Sequence, residues 1–393
     1  MIDGSMGERP HPLYPPLDLA TLPGAGGGAI GAYEPPMLPT TSSVVTVSAT
    51  GTDAGNELMD ACTTAGTEVI VPDAAGRIGV VNIGNVQDCD IQLGASVIID
   101  TLVIGSLPGP TPAPANRIRI RGGQIGSTLV MGPSTDIVFD GVAINAGVMA
   151  ASSRPGTAIN VRTNAGGEPV DRFAVVNSFV RVLPVDGGGG NVDGTSFLGV
   201  NPRNVFFANN NIVTAGNRNS WGFRFSGGDN AILIDNTVRV SFHKLVRLNS
   251  DPVDYVYIKG GVWMREATAT ATGETNNDSF QQLSGSTTDN VFVHDPEVYI
   301  LPATRCGFGM TFEDVQSGRS WEARRIHWHA LSEEVISAER LDQLEGLCPA
   351  GATCDYASET HTFDYDPDLT FPSNPWRDLP TFDDDDPDNL PSL

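Results

Sequence analysis

Residues Asn204 to Ile212, NVFFANNNI, restrict the fold more than any other stretch of the chain. Val205 and Phe207 alternate with their neighbours, as a strand with one buried side requires. Asn209 interrupts the run, and an apolar residue returns at Ile212. The unit is an apolar residue, a small or amide residue two places on, and a second apolar residue five places on. It recurs at Ile120/Gly122/Ile125, Phe139/Gly141/Ile144, Val175/Asn177/Val180, Leu233/Asp235/Val238, Ile258/Gly260/Trp263 and Val293/Asp295/Val298. Gly, Asn and Asp hold the middle place, and these residues tolerate the left-handed backbone of a sharp corner. Successive units start 19 to 36 residues apart. Such a period, with insertions of varied length, predicts a solenoid of stacked strands whose insertions are surface loops.

Three segments follow. Residues 1–42 are rich in Pro and Gly without periodicity and read as an extended arm or linker. Residues 43–315 carry the stack. It opens with a strand at Val44 to Val47 and a short helix in which Leu58, Met59 and Cys62 have helical spacing. A strand at Val69 and Val71 comes next, so helix and strand cover the first coil's exposed layer. Leu93 and Ile98 keep the five-residue step, with Ala95 in the middle place. Residues 316–393 form a C-terminal cap and an acidic tail. Arg325 to His329 alternates like a strand, Ser337 to Leu347 reads as a capping helix, and the tail from Asp364 on is too charged to bury much.

Abundant Gly and Pro with 18% charged residues fit many turns and few long helices. A net charge of −24 argues against nucleic acid as a general partner. No apolar run is long enough for a membrane span. The first residues lack an apolar signal-peptide core, which a processed end would explain. Of five cysteines, Cys348 and Cys354 flank a short loop and Cys62 and Cys89 would staple the first coil, leaving Cys306 odd. Such pairs favour an oxidising setting, hence a secreted or cell-surface protein.

These features together resemble the right-handed parallel β-helix superfamily typified by pectate lyases, over roughly residues 44–315. The resemblance implies an all-β solenoid with terminal caps. That superfamily holds lyases, hydrolases, esterases, tailspikes and adhesins, so the fold names no reaction. The Arg-x-Pro-x-x-Arg run of the main pectate lyases does not occur, nor does the Gly-His-Gly of polygalacturonase-like hydrolases. β-Helix alginate and chondroitin lyases use a Lys and an Arg on adjacent coils. Arg224 and Arg247, 23 residues apart, resemble that pair with Arg in place of Lys. The resemblance brings in calcium as the one candidate cofactor.

The residues support a cationic belt independently. Residues 203–265 hold both lysines of the chain, Lys244 and Lys259, together with six arginines. Arg224 and Arg247 each sit between apolar residues and so point outward, about 5 Å apart on adjacent coils. Elimination on a uronic acid needs a cation to neutralise the carboxylate, a base and a proton donor. Arg224 and Arg247 suit the first role, and Lys244 or His243 the second. Arg239 and Trp221 are candidate substrate contacts, Trp221 as a platform for a sugar ring. The competing reading pairs the belt with Asp229, Asp235, Asp251 and Asp254 as a solvated face. Arg117, Arg119 and Arg121 read as an ordinary outward strand face, and Trp263 as core. His327 and His329 share one strand face, a spacing metals use, without a third ligand in view. Asp364, Asp366 and Asp368 begin like a calcium loop, but Leu369 replaces the required Gly. The expectation is a lyase acting on an acidic polysaccharide; the alternative is a non-catalytic, glycan-binding surface protein or adhesin.

Overall fold

The computed structural model describes residues 33–105, 113–145, 156–182, 193–214, 219–240, 244–248, 253–265, 280–282, 290–301, 320–346, 348 and 350–370. Every ladder in it is parallel, in a twelve-stranded and a sixteen-stranded sheet. The chain is a parallel β-helix of three faces. The first is the twelve-stranded sheet, running from Ser43–Thr46 to Thr353–Asp355. The larger sheet forks into the other two. Gln124–Met131 bridges the fork: Gln124 and Ile125 pair with Ala143 and Ile144, while Thr128 to Met131 pair with Ile159 to Arg162. Strands such as Phe179–Val182 and Thr237–Val240 continue the second face; Asp193–Val200, Asn219–Ser226 and Lys244–Leu248 continue the third.

The repeat unit is the corner between the first and second faces. Ile120, Phe139, Val175, Phe207, Leu233, Ile258 and Val293 stand in one ladder column. Ile125, Ile144, Val180, Ile212, Val238, Trp263 and Val298 stand in another, and both columns line a single core. Gly122, Gly141, Asn177, Asn209, Asp235, Gly260 and Asp295 between them are all left-handed, with φ from 50° to 67°. An eighth corner, Ala323/Arg325/Trp328, has an arginine at φ 51°. Arg325 is held there by the carboxylate of Asp295, the left-handed residue one coil earlier (2.5 Å). Ladder pairing runs on to Tyr365, so the stack continues beyond residue 315 and takes in the start of the acidic tail. At the corner before Ile120, Ile91, not Leu93, aligns with Ile120, and Ile99, not Ile98, aligns with Ile125. The step there is eight positions instead of five, and Ser96 donates to Asp73 within the longer turn.

The helix Gly51–Cys62 buries Leu58 and Cys62 against the first coil, and Cys62 bonds to Cys89. At the other end Ala338–Glu345, capped by Ser337, buries Leu341 and Leu344. A second disulfide joins Cys348 to Cys354; Cys306 lies outside the described residues. Arg117, Arg119 and Arg121 form outward ion pairs with Asp88, Asp140 and Asp90.

A second left-handed column runs up the outer side of the first face: Asp88, Arg117, Asp136, Arg172, Asn204 and Asn230. Each sits at the skipped place between two paired positions. Residues 33–42 lie along this column. Glu34, Met37 and Thr40 donate their backbone N–H groups to Asn204, Asp136 and Asp88, every third residue meeting every second coil. Three extended residues span about 9–10 Å, and two strand spacings about 9.6 Å, so the two repeats match. Prolines 35, 36 and 39 fall between the donors, where no N–H is needed.

His361 closes the C-terminal end. Trp328 donates its indole N–H to His361 Nδ1 (3.1 Å), and Nε2 lies 2.5 Å from the Tyr356 carbonyl. This assigns the neutral tautomer with Nε2 protonated. Burial lowers its pKa from 6.5, and burial likewise lowers that of His294, beside Glu322, Asp295 and Arg325. A lowered folded-state pKa means that protons favour the unfolded chain, so stability present at pH 7.5 is lost as pH falls through 6.5. The urea midpoint is therefore expected to be lower at pH 5.5 than at pH 7.5. Equal midpoints would contradict the neutral assignment.

Candidate functional site

On the third face, strict alternation fails at one place in four successive coils, from Gly156–Arg162 to Lys244–Leu248. Ala158 and Ile159 are both in the core, as are Leu245 and Val246 three coils on in the same columns. Gly222 and Phe223 occupy the same two places between them. Two consecutive inward residues bend the strand and turn the outward residues on either side toward each other. Glycine suits position 222 because a Cβ there would lie 2.7 Å from the Leu245 carbonyl oxygen.

The outward residues on one side of the bend are Thr195, Trp221 and Lys244, stacked in register; on the other they are Leu198, Arg224 and Arg247. Arg224 and Arg247 are partly exposed and face each other across one ladder spacing. Both guanidinium carbons lie 4.9 Å from the centroid of the Trp221 ring. Trp221 is only 4% exposed and stands outside the central core. Its ring therefore braces the two arginines and offers little surface for a sugar to stack on. At an effective dielectric of about 20, like charges about 5 Å apart repel by ~3 kcal/mol. Two cation–π contacts at about 0.5–2 kcal/mol each offset much of that.

Lys244 completes the cluster one coil beyond Trp221 but is 1% exposed. It opens the strand Lys244–Leu248 and is not part of the turn before it. Arg239 is not in the cluster. It lies on the second face in Thr237–Val240, paired with Val213 and Met264 and 4% exposed. His243 lies outside the described residues. Of the acidic residues that a solvated belt would need, Asp235 serves a corner and Asp229 pairs with Arg203. Asp229 is raised in pKa by burial and by neighbouring Asp254.

A second cluster lies on the outward side of the second face. His329 pairs in register with Tyr299 below and Asp364 above, and His327 with Glu297 and Thr362. His327 Nε2 is 2.9 Å and His329 Nδ1 3.6 Å from Asp364 Oδ2. Asp364, read from the sequence as the start of a failed calcium loop, is the third donor that the reading did not connect with the histidines. Its carboxylate is 37 residues from His327 along the chain, in a segment whose composition reads as tail. Only continued stacking brings it beside the histidines.

Fold and sites thus define a parallel β-helix protein with a braced cationic pair on one face and a His–His–Asp cluster on another. Comparison with known proteins adds no closer placement, since no protein-family model, curated protein or solved structure matches the chain. No described helix is long and apolar enough to cross a membrane.

Proposed function

We propose that this is a secreted or cell-surface protein that acts on an acidic glycan, with Arg224 and Arg247 holding a uronate carboxylate. The observation that carries this reading is the pair itself: two guanidiniums one strand spacing apart, oriented by a single indole. Planar guanidinium forks donate two parallel hydrogen bonds to a carboxylate, and a pre-oriented pair loses little freedom on binding. Neutralising the carboxylate acidifies the neighbouring C–H, which is the first requirement of lyase chemistry. The two disulfides support the extracellular setting. A calcium ion belongs to this proposal only as a co-ligand of the uronate.

The burial of Lys244 favours a second reading, binding without turnover, because a general base must reach its proton. Incubation with polyuronates and glycosaminoglycans, with and without calcium, separates the two. Ultraviolet absorbance from unsaturated ends is expected from a lyase; glycan-array binding without it is expected from an adhesin. Arg247→Ala is expected to weaken binding about tenfold or more, the loss of one charge-assisted contact, with little change in melting temperature. Undiminished glycan binding by this variant, or no binding by the parent protein, would remove the proposal.

A further inference from the structure

The His327–His329–Asp364 cluster has features that a surface ion pair does not require. Each residue offers one donor atom, and all three lie within 4.8 Å of one another. A tetrahedral ion with bonds of about 2.0–2.1 Å has ligand–ligand edges of about 3.3–3.4 Å. The observed 2.9 and 3.6 Å edges to Asp364 Oδ2 bracket that value. Both histidines lie on one strand, two residues apart, and the carboxylate comes from the strand hydrogen-bonded beside it. All three are thereby fixed to rigid backbone.

The surroundings also orient the donors. Tyr299 stacks on the His329 ring at 4.1 Å between centroids and 8° between planes. Glu297 stands one coil below His327, two places from Tyr299 on the same strand. The stack fixes the plane of the His329 imidazole, while its other nitrogen, Nε2, is buried without a hydrogen-bond partner among the described residues. His329 is 14% exposed at its side chain, His327 37% and Asp364 64%, so the cluster opens to solvent on one side. The chain's charge of −24 favours any cation approaching it.

We infer that His327, His329 and Asp364 bind a divalent transition-metal ion of the zinc type on the second face. Imidazole nitrogens suit zinc and its neighbours, while calcium and magnesium take oxygen donors. Three protein ligands leave a position for water, the open arrangement of reactive zinc sites and not the closed one of structural sites. This inference is independent of the arginine pair, which lies on another face.

The test is titration of the untagged full chain with zinc chloride, and separately with cobalt chloride, whose visible spectrum reports coordination. One zinc per chain is expected, with a four-coordinate cobalt spectrum and no competition from calcium. His329→Ala and Asp364→Ala should each weaken zinc by about tenfold or more. Asp366→Ala, in the following turn, should leave it unchanged. Circular dichroism confirms that the variants fold, and His327→Ala replaces either one that does not. No one-to-one zinc binding, or binding that survives these substitutions, would overturn the inference.

Discussion

Phe197→Ala is expected to lower unfolding free energy by about 4 kcal/mol, within the range for a fully buried phenylalanine. Phe197 is inaccessible and sits in the middle of the stack. Its ring meets Phe207 edge-on at 4.9 Å, Phe225 at 5.3 Å, Phe173 at 6.0 Å and Phe223 at 6.2 Å. The cavity cannot collapse easily, because the surrounding residues hang from strands held on both sides by ladder hydrogen bonds. Position matters as much as burial. A lesion in a terminal coil frays that coil alone, whereas one at mid-stack breaks nearest-neighbour coupling in both directions. Val80→Ala is the comparison: Val80 is 64% exposed, and the change should cost less than about 0.5 kcal/mol. Urea unfolding followed by circular dichroism measures both. A Phe197→Ala midpoint close to that of Val80→Ala would show that the aromatic column is not what couples the coils.

The contrast between the seven regular corners and Arg325 shows what could be read in advance. The corner unit was legible because left-handed backbone is cheap for few residues, and seven corners use Gly, Asn or Asp. The eighth uses arginine, whose cost is offset by Asp295 on the neighbouring coil, a contact that one-dimensional spacing does not reveal. The candidate sites divide in the same way. Alternation alone set Arg224 and Arg247 outward and one coil apart. It would have set Trp221 inward with Phe223 and Phe225. Only the bend at Gly222 puts the indole outside, under the two guanidiniums. Asp364 was hidden for a different reason: composition around it reads as solvated tail, while its pairing with His329 depends on the stack's true end.

Asp136→Ala should destabilise the protein by about 4 kcal/mol and release the N-terminal arm. Asp136 is 1% exposed and accepts from the Met37 backbone N–H at 2.8 Å and from Arg172 at 2.6 and 3.0 Å. Removing one partner of a mostly buried ion pair costs about 3 kcal/mol or more, since Arg172 keeps its charge and loses its closest carboxylate. Alanine at φ 61° adds about 1 kcal/mol that aspartate largely avoids. Asp136→Asn keeps the backbone angle and one acceptor, so it should cost less, about 2 kcal/mol, mainly the loss of charge. The arm gives a second readout. Its three anchors are spaced to the coil rise, so losing the middle one leaves Glu34 and Thr40 six residues apart with nothing to hold the register between them. Hydrogen exchange at Met37 is expected to accelerate most in Asp136→Ala, with smaller changes at Glu34 and Thr40. Unchanged protection at all three amides would mean that apolar packing of Tyr33 against Phe206, and not the column of acceptors, fixes the arm to the first face.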